Sequence, residues 1–303
     1  MEITTVYDDN HCAGSSGSIP LSSLRSCLLD LKQPIAKRTH AAFHLRTMNT
    51  NDAALAVLDA LKQKEDSALM RHELAYILGQ MQNPIACNIL SSILEDEDDD
   101  VIVRHESAEA LGAIGHISSL DILEKFTTHN APEISETCRI AVDLVKWRQI
   151  GESTDKSYYL SVDPAPPLSK ELTIKELTDN LNDTSLSLFQ RYRAMFALRD
   201  KNNDEAAIAL LTGFDDVSAL FRHEVAYVLG QMQRQNTIEG LYKVLRNKKE
   251  HSMVRHEAAE ALGAIGGSYV QSILEEFKND DEIVVLQSCE VALDTMDYWE
   301  NSV

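Results

Sequence analysis

Residues 103–115 read VRHESAEALGAIG and residues 254–266 read VRHEAAEALGAIG, differing at one position. A second pair, RHELAYILGQMQ (71–82) and RHEVAYVLGQMQ (222–233), stands at the same offset of 151 residues. A chain that restates itself at this distance folds as two copies of one unit, and this limits the architecture more than any other feature. A shorter period runs inside each copy. Arg38, Arg71 and Arg104 are 33 residues apart, and each is followed four residues on by an alanine (Ala42, Ala75, Ala108). Ala141 extends that series, and Arg191, Arg222, Arg255 and Ala292 form the second.

Each short unit carries two helical patterns, such as AALAVLDALKQ (53–63) followed by ALMRHELAYILGQM (68–81). No stretch alternates with a period of two, so no sheet is expected. Helix pairs that repeat and stack make an α-solenoid. The expected fold is therefore all-α: eight helix-pair repeats in two pseudo-symmetric lobes of four. Residues 1–18 read as a disordered tail, 19–150 as the N-terminal lobe, 151–170 as a Pro- and Ser-rich linker and 171–303 as the C-terminal lobe. Gly79, Gly112, Gly230 and Gly263 fall near the ends of second helices, where glycine relieves a turn. The acidic run EDEDDD (95–100) reads as a solvated loop before a helix start.

Composition excludes several classes. A net charge of −20 argues against a phosphate-binding surface and for a basic partner. No apolar run is long enough to span a membrane, and the N-terminus lacks the pattern of a secretory signal. Five cysteines without close spacing point to free thiols in a reducing cytosol.

The feature left over is the His-Glu pair after each inner arginine: His72-Glu73, His105-Glu106, His223-Glu224 and His256-Glu257. At 100° per residue, His72 lies about 160° from the centre of the apolar stripe Leu74, Ile77, Leu78 and Met81. It therefore points away from the core of its own repeat, and His72 and His105 become lateral neighbours on one face of the stack. Tyr76 and Tyr227 share that face. With a pseudo-twofold between the halves, all four pairs meet in one cleft. The outer units carry Thr39-His40, Cys138-Arg139, Tyr192-Arg193 and Cys289-Glu290 in the same slots, so no repeat needs the pair for folding. Imidazole and carboxylate ligate iron, manganese and zinc, and two His with one carboxylate is the set of non-haem Fe(II) oxygenases. Spacing leaves the carboxylates open. Glu106 and Glu257 compete with Glu109 and Glu260, which stand one turn after His105 and His256, either as ligands or as acceptors for an imidazole N–H. Glu73 and Glu224 are the remaining pair.

The pattern D-x-x-V-R-x-x-A-x-x-A-L-G at Asp100–Gly112 resembles HEAT-like repeats. Two sets of four such repeats, four RHE motifs and the linker SVDPAPP (161–167) together resemble the deoxyhypusine hydroxylase family over nearly the whole chain. The resemblance implies a monooxygenase with two iron ions and O₂. Its substrate would be the deoxyhypusine side chain of eukaryotic translation factor 5A, and the product hypusine. It implies His72, His105 and Glu106 on one iron and His223, His256 and Glu257 on the other, with Glu73 and Glu224 as catalytic carboxylates near the substrate amines. It also implies a cytoplasmic protein, a monomer, without nucleic acid or membrane partners. The rival readings are a dinuclear zinc or manganese hydrolase, a scaffold that binds protein on its concave face without chemistry, and a chromophore lyase built on similar repeats.

Overall fold

The computed structural model describes residues 19–151 and 157–302. The tail expected over 1–18 lies outside the described residues. Sixteen α-helices and a few short 3-10 turns make up the described chain, with no strand among them. Contacts divide it after Ile150 into two compact units.

The N-terminal unit holds α1 (Leu21–Leu29), α2 (Ile35–Met48), α3 (Asn51–Leu61), α4 (Ala68–Met81), α5 (Cys87–Glu95), α6 (Val101–Ile114), α7 (Leu120–Phe126) and α8 (Pro132–Ile150). The C-terminal unit holds α9 (Ile174–Asn182), α10 (Leu188–Lys201), α11 (Asp204–Leu210), α12 (Ala219–Met232), α13 (Ile238–Arg246), α14 (Ser252–Ile265), α15 (Ser268–Phe277) and α16 (Ile283–Ser302). Each odd helix packs on the even helix that follows, and within each unit the even helices also pack on one another in sequence. None of the described helices is long and apolar enough to cross a membrane.

The helices begin where local chemistry satisfies their first amides. Ser67 accepts from the Met70 amide, Asp100 from Ile102, Ser218 from Phe221, and Thr173 forms a full capping box with Glu176. The ends differ from the sequence expectation. Gln82 and Gln233 take the left-handed turn after α4 and α12, both at φ 50°. The Gln82 amide then reaches the Ala113 carbonyl at 2.8 Å, and Gln233 makes the duplicate bond to Ala264.

Gly79 and Gly230 therefore do not relieve a turn; they lie inside their helices. A Cβ on Gly79 would stand 2.9 Å from Ala110 Cα, and one on Gly230 2.9 Å from Ala261 Cα. Gly112 and Gly263 meet Ala141 and Ala292 in the same way. Glycine is needed because backbone meets backbone between successive even helices.

The arginines with the 33-residue period are buried and stitch the repeats together. Nε of Arg38, Arg71 and Arg104 donates to the carbonyls of Leu28, Leu61 and Leu94 at 3.0, 3.1 and 3.1 Å. Arg191 and Arg255 do the same to Leu181 and Leu245 at 2.9 and 2.8 Å. These carbonyls end the preceding helix and have no partner within it. The guanidinium then pairs with a carboxylate in a following loop: Arg38 with Asp66, Arg71 with Asp99, Arg191 with Asp216 and Arg255 with Asp280. The acidic run leads into α6 and is exposed at Glu95, Glu97, Asp98 and Asp100 as the sequence suggests, but several of its side chains are tied down. Asp99 is buried on Arg71, Asp100 caps α6, Asp96 pairs with Lys64 and Glu97 with Arg104.

The segment before α9 is non-helical, and residues 157–168 of it are packed rather than free. Tyr159 and Ala165 are buried, and Arg193 exchanges bonds with this stretch through the Pro166 carbonyl and the Leu168 amide. Its anchor is Arg199, fully buried, which donates to both Asp163 oxygens at 2.8 and 2.7 Å and to Gln231 at 2.9 Å.

Two substitutions test this packing. Gly79→Ala gains about 1 kcal/mol of helix propensity, yet overpacking against Ala110 costs about 1–3 kcal/mol, so denaturant titration should show lower or at best equal stability. Asp99→Ala strands the buried Arg71 guanidinium and should cost about 3–5 kcal/mol. Stability like that of the parent would show that the pair is not needed.

Candidate metal centre

Within RHE the three side chains part company because successive residues turn 100° around the helix. Arg104 turns to the Leu94 carbonyl and Glu97, while His105 and Glu106 leave on other bearings. All four His-Glu pairs are buried. The sequence placed the histidines away from the core of their own repeat, and they are nonetheless closed off from solvent, with His105 and His256 fully buried.

The N-terminal unit brings His72 on α4 against His105 and Glu106 on α6. The two imidazole rings stand 5.5 Å apart, and His72 Nε2 lies 3.3 Å from Glu106 Oε2. One donor atom from each of His72, His105 and Glu106 can come within 4.8 Å of the others, the spacing of ligands around one cation. Glu73 Oε1 sits 3.1 Å from His72 Nδ1, so Glu73 faces the nitrogen turned away from Glu106. Burial disfavours a charge on His72, but Glu106 and Glu73 outweigh it and hold its pKa well above the usual histidine range. A cation binding there displaces that proton.

The C-terminal unit repeats the arrangement with a change. His223 on α12 and His256 on α14 have rings 5.5 Å apart, and His223 Nε2 lies 3.4 Å from Glu257 Oε2. The compact donor set within this unit is His256, Glu257 and Glu260. Glu260 Oε1 stands 3.5 Å from His256 Nδ1 and accepts a 2.7 Å bond from Ser288. Glu224 is buried, and Glu109 is half-buried.

These residues fit a divalent cation. Glu257 Oε1 is buried and has no hydrogen-bond partner. A carboxylate oxygen in that condition is costly unless a positive group meets it. The donors are imidazoles and carboxylates, the set that serves iron, zinc and manganese alike. Two of the four outer slots hold cysteines, Cys138 and Cys289, and burial pushes both thiols up to about 12, far from the thiolate form that binds a metal.

Sequence reasoning missed the Arg199 hub. Gln231, whose carbonyl oxygen receives Arg199, donates to the Tyr227 hydroxyl at 3.0 Å, one turn after His223. The signal available was Asp163 in SVDPAPP, but nothing in spacing joins it to Arg199. The Asp partners of the arginine ladder were more accessible, since Asp66 and Asp99 share the 33-residue period.

Comparison with known proteins follows the same lines. A family model described as HEAT repeats matches residues 204–294, and one described as PBS lyase HEAT-like repeat matches 103–129. The deoxyhypusine hydroxylase of Danio rerio is 45% identical over 287 residues, covering 93% of each chain. That of Homo sapiens is 45% identical over 279 residues, covering 92% of this chain and 91% of the relative. The solved structure of human deoxyhypusine hydroxylase in complex with glycerol aligns with a TM-score of 0.88, over 92% of this chain and 96% of that one.

Loss of one ligand should empty one cluster only. In the purified chain, His105→Ala and Glu257→Gln should each remove about one bound metal of two, measured by elemental analysis. Full metal content in either variant would refute the ligand sets.

Proposed function

The chain belongs to the deoxyhypusine hydroxylase family, and on that premise we propose that it hydroxylates the deoxyhypusine side chain of translation factor 5A to form hypusine. The observation that carries this reading is the duplicated cluster: two imidazoles beside a buried carboxylate, built twice from separate repeats.

His72, His105 and Glu106 would hold one iron, and His223, His256 and Glu257 the other. Two iron(II) ions with O₂ supply the oxidising power that an unactivated C–H bond demands. The protein's own part is ligand orientation, exclusion of water and placement of the substrate. Burial of all four pairs keeps water from the ligands in each unit. Glu73 and Glu224 would receive the amines of the substrate side chain through charge-assisted hydrogen bonds. A carboxylate has two oxygens, so Glu73 can steady His72 Nδ1 with one and meet an amine with the other. The net charge of −20 favours encounter with a basic target loop. We place the protein in the cytosol as a monomer.

The direct test is hydroxylation of the deoxyhypusine-bearing protein by the purified chain in air, with metal identity and optical spectrum recorded on the same sample. The expected result is turnover with about two irons per chain. A zinc- or manganese-loaded chain that hydrolyses instead would favour the hydrolase reading. Glu73→Ala should raise KM or lower turnover at least about tenfold while both metals stay bound, since a lost charge-assisted bond is worth about 1.5–3 kcal/mol. Iron lost from that variant would move Glu73 into the ligand set.

A further inference from the structure

The two clusters are copies in sequence, but their surroundings differ. Glu260 stands one turn after His256 on α14, and its Oε1 is the oxygen 3.5 Å from His256 Nδ1. The same oxygen accepts the 2.7 Å hydrogen bond from Ser288 Oγ on α16. Ser288 is fully buried and Glu260 is 9% exposed, so this bond lies out of reach of solvent competition. In the first copy Thr137 stands where Ser288 stands, and Glu109 where Glu260 stands. Thr137 is also buried, but its hydroxyl donates to the Glu133 carbonyl one turn back on its own helix, at 2.7 Å. A hydroxyl has one proton to give. Thr137 therefore does not hold Glu109 as Ser288 holds Glu260.

We propose that Ser288 is a positioning residue for the C-terminal metal half: by holding Glu260 Oε1 it keeps that carboxylate beside His256 Nδ1 and so leaves Nε2 to the cation. This rests on the metal reading above. An imidazole that binds a cation through one nitrogen is fixed in tautomer and ring angle by what the other nitrogen meets. Glu73 faces the equivalent nitrogen of His72 in the first half. Among the described contacts, Ser288 ties Glu260 to a neighbouring helix through a buried hydroxyl, and Thr137 does not do this for Glu109. Glu260 then acts through His256 rather than as a ligand, and the two cations sit in unequal fields despite copied ligands.

The test uses the full chain, freed of metal by chelation and titrated with Co²⁺, whose visible spectrum reports the ligand field. Ser288→Ala should weaken one of the two Co²⁺ equivalents by about 10- to 100-fold and shift its spectrum, leaving the other unchanged. In a His105→Ala background, where the C-terminal half alone keeps its ligands, the weakening should fall on the remaining equivalent. Thr137→Val should move neither affinity. Parental affinities and spectrum in Ser288→Ala overturn the proposal. So does equal weakening of both equivalents with a lowered melting temperature, the mark of a general packing role. Parental chain that takes up no Co²⁺ defeats the metal reading itself, a separate failure visible before any variant is compared.

Discussion

Backbone contact between successive even helices governs the rest of the architecture. Gly79 against Ala110 and Gly230 against Ala261 allow α4 to meet α6, and α12 to meet α14, with no side chain between them. His72 and Gly79, and His223 and Gly230, are seven residues apart and so share nearly one face of their helix, two turns from each other. The imidazoles of His72 and His105, and of His223 and His256, come to rest 5.5 Å apart in both units. A larger residue at either glycine would open the seam and spread the donors. The small residues and the ligands are thus two ends of one geometric requirement, and both recur at the 151-residue offset.

The arginine ladder supplies what the seam lacks, namely a fixed stagger along the stack. Arg38, Arg71, Arg191 and Arg255 each bind a helix-terminal carbonyl behind them and a carboxylate in a loop ahead, while Arg104 takes Glu97 from the loop behind it. Buried ion pairs add little net stability when complete but are costly to break. Their value here lies in setting one register between helix pairs whose apolar faces would tolerate some sliding. Arg199 extends the same logic to non-helical chain, tying the SVDPAPP segment to α10 and α12 through Asp163 and Gln231. In the first unit the matching position is Arg46, since α2 and α10 are offset by 153 residues.

Much of this was legible because repetition amplifies weak signals. One His-Glu pair on a helix says little; four in register, confined to the inner units, single out a face and a chemistry. The histidine neighbours on each unit follow directly from helical period and repeat length. Roles were misjudged where one residue type serves several ends. Glycine near a helix end suggested a turn, yet Gln82 and Gln233 make the turns and glycine makes the seam. A run of six acidic residues suggested solvent, and four of the six are exposed, but the Asp99 side chain is buried against Arg71 of the preceding repeat.

The sequence by itself determined the helical class, the duplication, the helices that carry ligands and the residue types offered to a cation. These depend on period and pattern, which are local and additive along the chain. Only the tertiary structure decided which oxygen faces which nitrogen: Glu106 with His72 Nε2, Glu73 with His72 Nδ1, and Glu260 shared between His256 and Ser288. Those pairings join atoms on different helices or compete on one helix within an ångström. They are settled by rotamers and packing, which sequence spacing does not encode.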